Sequence, residues 1–248
     1  MGYSTLIKRI FIIAKSKWIL HALRGNFFSL ASFEVVSNLK EMVPELDYII
    51  DVGANSGQFS KVVGYFYPKA TIDAFEPLPN LYSKIQKTFE NKKNIRTYNV
   101  ALGNENGTVM FNKNNYGHIS SILEISNTNK HYPKQKNDLK QIVVEIKTLD
   151  SLDLIKNKTR GTALLKLDVQ GYELEVLKGA TETINNIDYI VIEANLEELY
   201  YNQPSFTKMN SYLNKSEFEL MGMLDFNLGD KNKYIEVDLL YKKTEKSK

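Results

Sequence analysis

A glycine-rich turn between two apolar segments of different period constrains this chain most. Tyr48-Ile-Ile50 is a short apolar run of the kind buried in a parallel strand, and Gln58-Phe-Ser-Lys-Val-Val63 begins with helical spacing. Between them lies Asp51-Val-Gly-Ala-Asn-Ser-Gly57. A turn of this composition brings backbone close to a nucleotide-like ligand. Asp51 at its mouth disfavours a pyrophosphate, because like charges repel, and favours a ligand with an amine or a cationic centre. The next β-type run, Thr71-Ile-Asp-Ala-Phe75, ends at Glu76 and Pro77. An acid at a second strand tip accepts hydrogen bonds from ribose hydroxyls. The two acids together point to S-adenosylmethionine (SAM), which has an ammonium, a sulfonium and no phosphate. The plain alternative is an ordinary strand–helix turn with a solvated Glu at a strand end.

The same alternation continues. Strands are expected at about 47–52, 70–76 and 95–100, with helices at 57–66 and 79–91. Residues 104–147 interrupt it with two added β-type runs, 107–111 and 141–146, around a long polar loop at 112–140 that suits a substrate lid. The order resumes with Ala163–Asp168, a helix from Tyr172 to Leu177, and the strand Asp188–Glu193. Two β-like runs, 217–221 and 234–241, close the chain as an antiparallel hairpin, which a dinucleotide-binding domain lacks. The reading is α/β, a parallel sheet with helices on both faces.

Composition excludes several classes. The 248 residues suit one large domain with additions. A net charge of +3, without clustering, argues against a nucleic-acid partner, and the lack of an Asn-Pro-Pro-Tyr-like segment argues against a flipped base. The absence of cysteine removes disulfides, zinc–thiolate sites and cysteine nucleophiles, and fits a reducing, cytoplasmic setting. Residues 1–46 read as an N-terminal helical extension, with periodicity over 4–22 and 27–43, and 47–248 as the main domain. Apolar positions 6, 7, 10, 11, 14 and 18 favour a helix packed on the domain. Lys8, Arg9, Lys15, Lys17 and Trp18 also suit an interfacial helix on the inner face of a membrane, while no run is long enough to span one.

Several segments occur in order: Asp51–Phe59, Phe75-Glu-Pro77, Asn99-Val-Ala-Leu-Gly103, Ser120-Ser121, Thr148-Leu-Asp150, and Leu165-Lys-Leu-Asp-Val-Gln-Gly-Tyr-Glu-Leu-Glu-Val-Leu-Lys-Gly-Ala180. Over roughly residues 47–241 the chain resembles the FkbM-type family of SAM-dependent methyltransferases. The resemblance implies a Rossmann-like class I methyltransferase fold, with a mostly parallel seven-stranded sheet and an antiparallel C-terminal strand. It also implies methyl transfer to oxygen on a sugar of a surface glycan or on a secondary metabolite. The family commonly has Glu where this chain has Gln170, which puts any charge-dependent role of that position in doubt and keeps open a SAM-binding module without catalysis. A dinucleotide-dependent oxidoreductase is opposed by Asp51, Asn55 and the terminal hairpin.

The cofactor set expected is Asp51, Gly53, Asn55, Gly57 and Phe59 around the methionine part, Glu76 and Pro77 at the ribose, and Ala101 and Leu102 beside the adenine. Asp168 and Glu193 end consecutive parallel strands, where ligands of open α/β sheets bind. Asp168 is the first candidate for a base, with helix capping at Gly171 as its plain alternative; Glu193 and the loop residue His118 follow. Asp168, Glu193 and Asn195 also form an oxygen set that could hold Mg²⁺, an arrangement disfavoured against a protein base. The residues carry no code for the acceptor or the oligomeric state.

Overall fold

The computed structural model describes residues 29–114, 119–127, 129, 139–154, 161–229 and 232–244. The strands β1 (Tyr48–Val52), β2 (Thr71–Phe75) and β3 (Ile95–Tyr98) alternate with the helices α1 (Leu30–Met42), α2 (Gln58–Phe66) and α3 (Pro79–Phe89). A second block follows: β4 (Ala101–Leu102), β5 (Gly107–Asn114), β6 (Leu139–Lys147), β7 (Ala163–Leu167), α4 (Glu173–Lys178) and β8 (Tyr189–Asn195). The chain then continues through α5 (Phe206–Lys215), β9 (Phe218–Leu228) and β10 (Tyr234–Lys243). Seven strands form one sheet in the order β3-β2-β1-β7-β8-β10-β9, and β4-β6-β5 form a small second sheet.

Every residue of β1 and β7 is buried, which is why both read as apolar runs, each interrupted by one charged residue, Asp51 and Lys166 respectively. Successive residues serve opposite faces. Ile49 and Leu164 join Phe33, Val36, Leu39, Val62 and Phe66 on the α1–α2 side. Ile50 and Leu165 join Leu174, Leu177, Met209 and Leu213 on the α4–α5 side. β1, β2, β3, β7 and β8 run parallel, whereas β10 runs antiparallel to both β8 and β9. This is the Rossmann-like class I arrangement. The chain winds outward from β1 to β3, then returns to lay β7 on the other side of β1. That reversal opens a crevice above the carboxyl ends of β1 and β7.

Three details differ from the sequence reading. The helix α5 was not anticipated, although Ser205 caps it by accepting from the Lys208 N–H and Phe206, Met209 and Leu213 recur at helical spacing. The added strands reach Asn114 and start at Leu139, so the excursion between them is shorter than 112–140. Its described part is seated on the domain. Ser121 pairs with Asn112, Ile125 pairs with Tyr200, and Ile119 and Ile125 are buried with Leu199 and Ile235. Burial of those two isoleucines fixes a segment whose polar composition alone suggested a loose loop. The helix expected over 4–22, with its membrane contact, lies outside the described residues. No helix among the described residues is long and apolar enough to cross a membrane.

Candidate functional site

A cleft of about 420 Å³ opens at the reversal point. Its floor is the turn after β1. Gly53 has φ +80°, and a Cβ there would stand 1.8 Å from the Asp168 carbonyl oxygen, so only glycine lets the two strand ends close on each other. Asn55 also takes a left-handed conformation, φ 53°, and its N–H donates to Glu76 Oε2 at 2.9 Å. The Leu78 N–H donates to Glu76 Oε1 at 2.9 Å. Glu76 is therefore held at the tip of β2 by one N–H on each carboxylate oxygen, on the lining of the cleft. Burial pushes its carboxyl up to about 7, against the lowering effect of those two N–H bonds. Pro77, Leu78, Ala101, Leu102, Phe111 and Ile122 give this end an apolar wall.

The opposite end is charged. Lys166 lies inside the buried strand β7, its Nζ 3.1 Å from Asp168 Oδ2 and 3.4 Å from Asp51 Oδ1. Burial lowers the pKa of this lysine, but Asp168 and Asp51 outweigh it and raise the ammonium well above its ordinary range. Burial would likewise raise Asp168, but the Lys166 charge and hydrogen bonds from Gln170, Lys166 and Glu193 hold it below the usual carboxylate range. About a third (34%) of the Asp168 side chain remains exposed to the cleft. Glu193 is pushed well up by burial and by the neighbouring charges of Asp168, Glu236, Asp238 and Glu173. The two carboxyls are thus shifted in opposite directions, Asp168 toward its ionised form and Glu193 toward its protonated one. That lowering, with the side chain partly open to the cleft, suits Asp168 to accept a proton there.

The structure gathers Gly53, Asn55, Glu76, Pro77, Ala101, Leu102, Asp168 and Glu193 on one cleft. Other expected residues stand elsewhere. Asp51 is fully buried beneath the turn, accepting from the Ser60 hydroxyl at 2.6 Å and facing Lys166, so it meets the protein's own cation. Gly57 starts α2 behind the cleft, its Cβ position 2.9 Å from Phe89. Phe59 is buried with Lys166 Nζ 5.5 Å from its ring centroid. Asn195 is also buried off the cleft, and its Oδ1 has no hydrogen-bond partner among the described residues. His118 lies outside the described residues. The capping role weighed for Asp168 falls to Glu173, whose Oε1 accepts from the Val169 and Gly171 N–H groups at 3.0 Å each. Among the described residues no group of three His, Cys, Asp or Glu could hold a metal ion.

Sequence reasoning passed over Lys166 and Tyr200 as site residues and treated Gln170 only as a departure. A lysine inside the run Ala163-Leu-Leu-Lys-Leu167 was the available signal, since a buried cation needs a carboxylate partner. Tyr200 had no such signal; it reaches the site because Ile125 and Leu199 bury it there.

The residues fit a SAM-like nucleoside. A fixed carboxylate at a strand tip suits two vicinal hydroxyls, and the apolar wall suits an aromatic base.

Relatives agree with this reading. "Methyltransferase 1" of Beauveria bassiana is 31% identical over 60% of this chain and 65% of its own length. The chain thus spans just under two thirds of that relative. "2-O-methyltransferase NoeI" of Sinorhizobium fredii is 27% identical over 68% of this chain and 71% of its own length. "Hexuronic acid methyltransferase AglP" of Haloferax volcanii is 25% identical over 71% of this chain and 65% of its own length. The methyltransferase FkbM domain matches residues 51–220, and this chain belongs to that family.

Proposed function

We propose that the chain transfers a methyl group from SAM to a hydroxyl of a sugar or a related polyhydroxylated molecule. The observation that carries this reading is the placement of a partly open Asp168, paired with Lys166, on the same cleft as Glu76 and the glycine turn. Glu76 would hold the ribose hydroxyls. The backbone of Gly53 and Asn55 would face the methionine part, with Ala101 and Leu102 beside the adenine. When bound, SAM supplies an activated methyl group on a cationic sulfur. The chain's own task is then to aim the acceptor hydroxyl, exclude water and remove one proton. Asp168 accepts the hydrogen bond of that hydroxyl and takes its proton as the new C–O bond forms. A carboxylate of low basicity suffices, because an oxygen gaining a methyl group becomes strongly acidic. Glu193 stands beside it on the same cleft, its carboxyl shifted toward the protonated form.

A sugar acceptor is supported by two relatives whose names specify 2-O-methylation and a hexuronic acid. The test is calorimetric binding of S-adenosylhomocysteine (SAH), followed by transfer of radiolabelled methyl from SAM to a panel of neutral hexoses, hexuronic acids and small polyols. Micromolar SAH binding with label on one class supports the reading. NAD binding without SAH binding would overturn it.

A further inference from the structure

Gln170 lies where the family resemblance leads one to expect a glutamate, and every hydrogen-bonding group of its side chain is engaged. Its Nε2 donates to Asp168 Oδ1 at 3.0 Å and to Glu193 Oε2 at 2.7 Å. Its Oε1 accepts from the Tyr200 hydroxyl at 2.7 Å. A phenol that donates at one end leaves the amide one orientation, with both N–H bonds toward the two carboxyls. The backbone is pinned as well: φ is 57°, and the carbonyl accepts from Ser121 Oγ at 2.8 Å. Tyr200 is fully buried, so the clamp cannot swing into solvent.

We infer that Gln170 is a positioning residue for methyl transfer: a two-donor bridge, oriented by Tyr200, that holds Asp168 aimed into the cleft beside Glu193. The inference rests on the methyltransferase reading above and adds the residue that sets the state of its proton acceptor. An amide has no proton to lose or gain near neutrality, so the bridge works unchanged across pH. A carboxylate in its place would put a third acid between Asp168 and Glu193, and that trio would have to take up a further proton to stay bonded. The surrounding charges favour this. Asp168 and Glu193 are faced by Lys166 on β7 with Asp51 behind it, by Glu173 on α4 and by Glu236 and Asp238 on β10, with Asp225 on β9 next to Asp238. One cation among that many acids leaves little room for another negative charge.

The experiment compares the wild type with Gln170→Glu and Tyr200→Phe. Side-chain carboxyl ¹³C shifts are followed on the ligand-free chain from pH 5 to 9. SAH binding is measured by calorimetry, and turnover is followed over the same pH range on the acceptor class that takes label. The wild-type Asp168 resonance should stay at its ionised position throughout. Q170E should add a carboxyl titration within the range, lose roughly a hundredfold in kcat at the alkaline end through a misplaced acceptor, and recover part of it as pH falls. SAH affinity should hold within about threefold, as expected for lost acceptor aiming rather than lost cofactor binding. Y200F, free to flip the amide, should lower kcat without the acid recovery. An Asp168 that titrates in the wild type, or a Q170E chain with no added titration, would overturn the inference. Equal pH profiles for the two variants would do the same, since a purely structural role predicts them. Failure of the wild type to bind SAH would instead refute the methyltransferase reading and leave the titration result standing.

Discussion

Replacing Lys166 by Met tests the electrostatic core of the site. The two side chains have similar length and volume, so the change removes charge with little cavity. Lys166 is 7% exposed and lies within 3.4 Å of Asp51, which is fully buried, and 3.1 Å of Asp168. Deleting one partner of a buried ion pair costs about 3–5 kcal/mol. Asp168 is 34% exposed and can draw on water, which places this case at the lower end. For a chain of this size, about 3 kcal/mol lowers Tm by about 6–12 °C. The loss should also depend on pH. In the wild type the Asp168 carboxyl lies below its unfolded value. Its contribution is therefore present above the unfolded value and is lost as pH falls through the folded one. Lys166, raised above its unfolded value, contributes in full at every pH below that value. Without Lys166 the strongest influence lowering Asp168 is gone, and burial, the largest influence on it, should shift its folded pKa upward. The variant is then penalised at neutral pH and relieved as the group protonates, so the Tm gap to wild type narrows from pH 8 to pH 5. Thermal unfolding followed by circular dichroism at several pH values measures this. A loss under about 1 kcal/mol at pH 8, far below the range for a broken buried pair, would refute the reasoning. A gap independent of pH would do so too.

Glu76→Ala should weaken SAH binding by about 10–100-fold, the worth of lost hydrogen bonds to a charged acceptor, and calorimetry would register it. Because burial lifts Glu76 to about 7, the ionised acceptor is lost below that pH and SAH affinity should rise from pH 6 to 8; a flat profile, or no proton release across buffers of different ionisation enthalpy, counts against Glu76 as the ribose ligand. Gly53→Ala sets a Cβ 1.8 Å from the Asp168 carbonyl oxygen in a left-handed backbone, and should destabilise by roughly 3 kcal/mol or more. A variant that melts with the wild type would show that the turn yields more easily than its packing implies. Excess EDTA should leave methyl transfer unchanged, since Lys166 already meets the Asp168 charge; loss of activity restored by Mg²⁺ would contradict that.

Periodicity and turn chemistry are local properties, and they sufficed for the alternating frame. The apolar runs of β1 and β7, the glycine turn, the acids at strand ends and the terminal hairpin all stand in the residues themselves. They also located the cleft, because the crevice of an open α/β sheet follows from strand order. What each acid does was not local. Asp51 reads as a ligand contact at the mouth of a turn, yet the packing of α2 and β7 encloses it with Ser60 and Lys166. Asp168 and Glu193 look alike as strand-end carboxyls. Their opposite pKa shifts follow from Lys166 beside one, and burial with a crowd of acids around the other. Gln170 reads as a lost charge, and only the approach of Tyr200, 30 residues away in sequence, turns it into an oriented donor. The residue order therefore determined which strands exist and where their ends meet. The protonation and orientation of the groups there depend on neighbours distant in sequence, whose distances and shared burial only the folded chain sets.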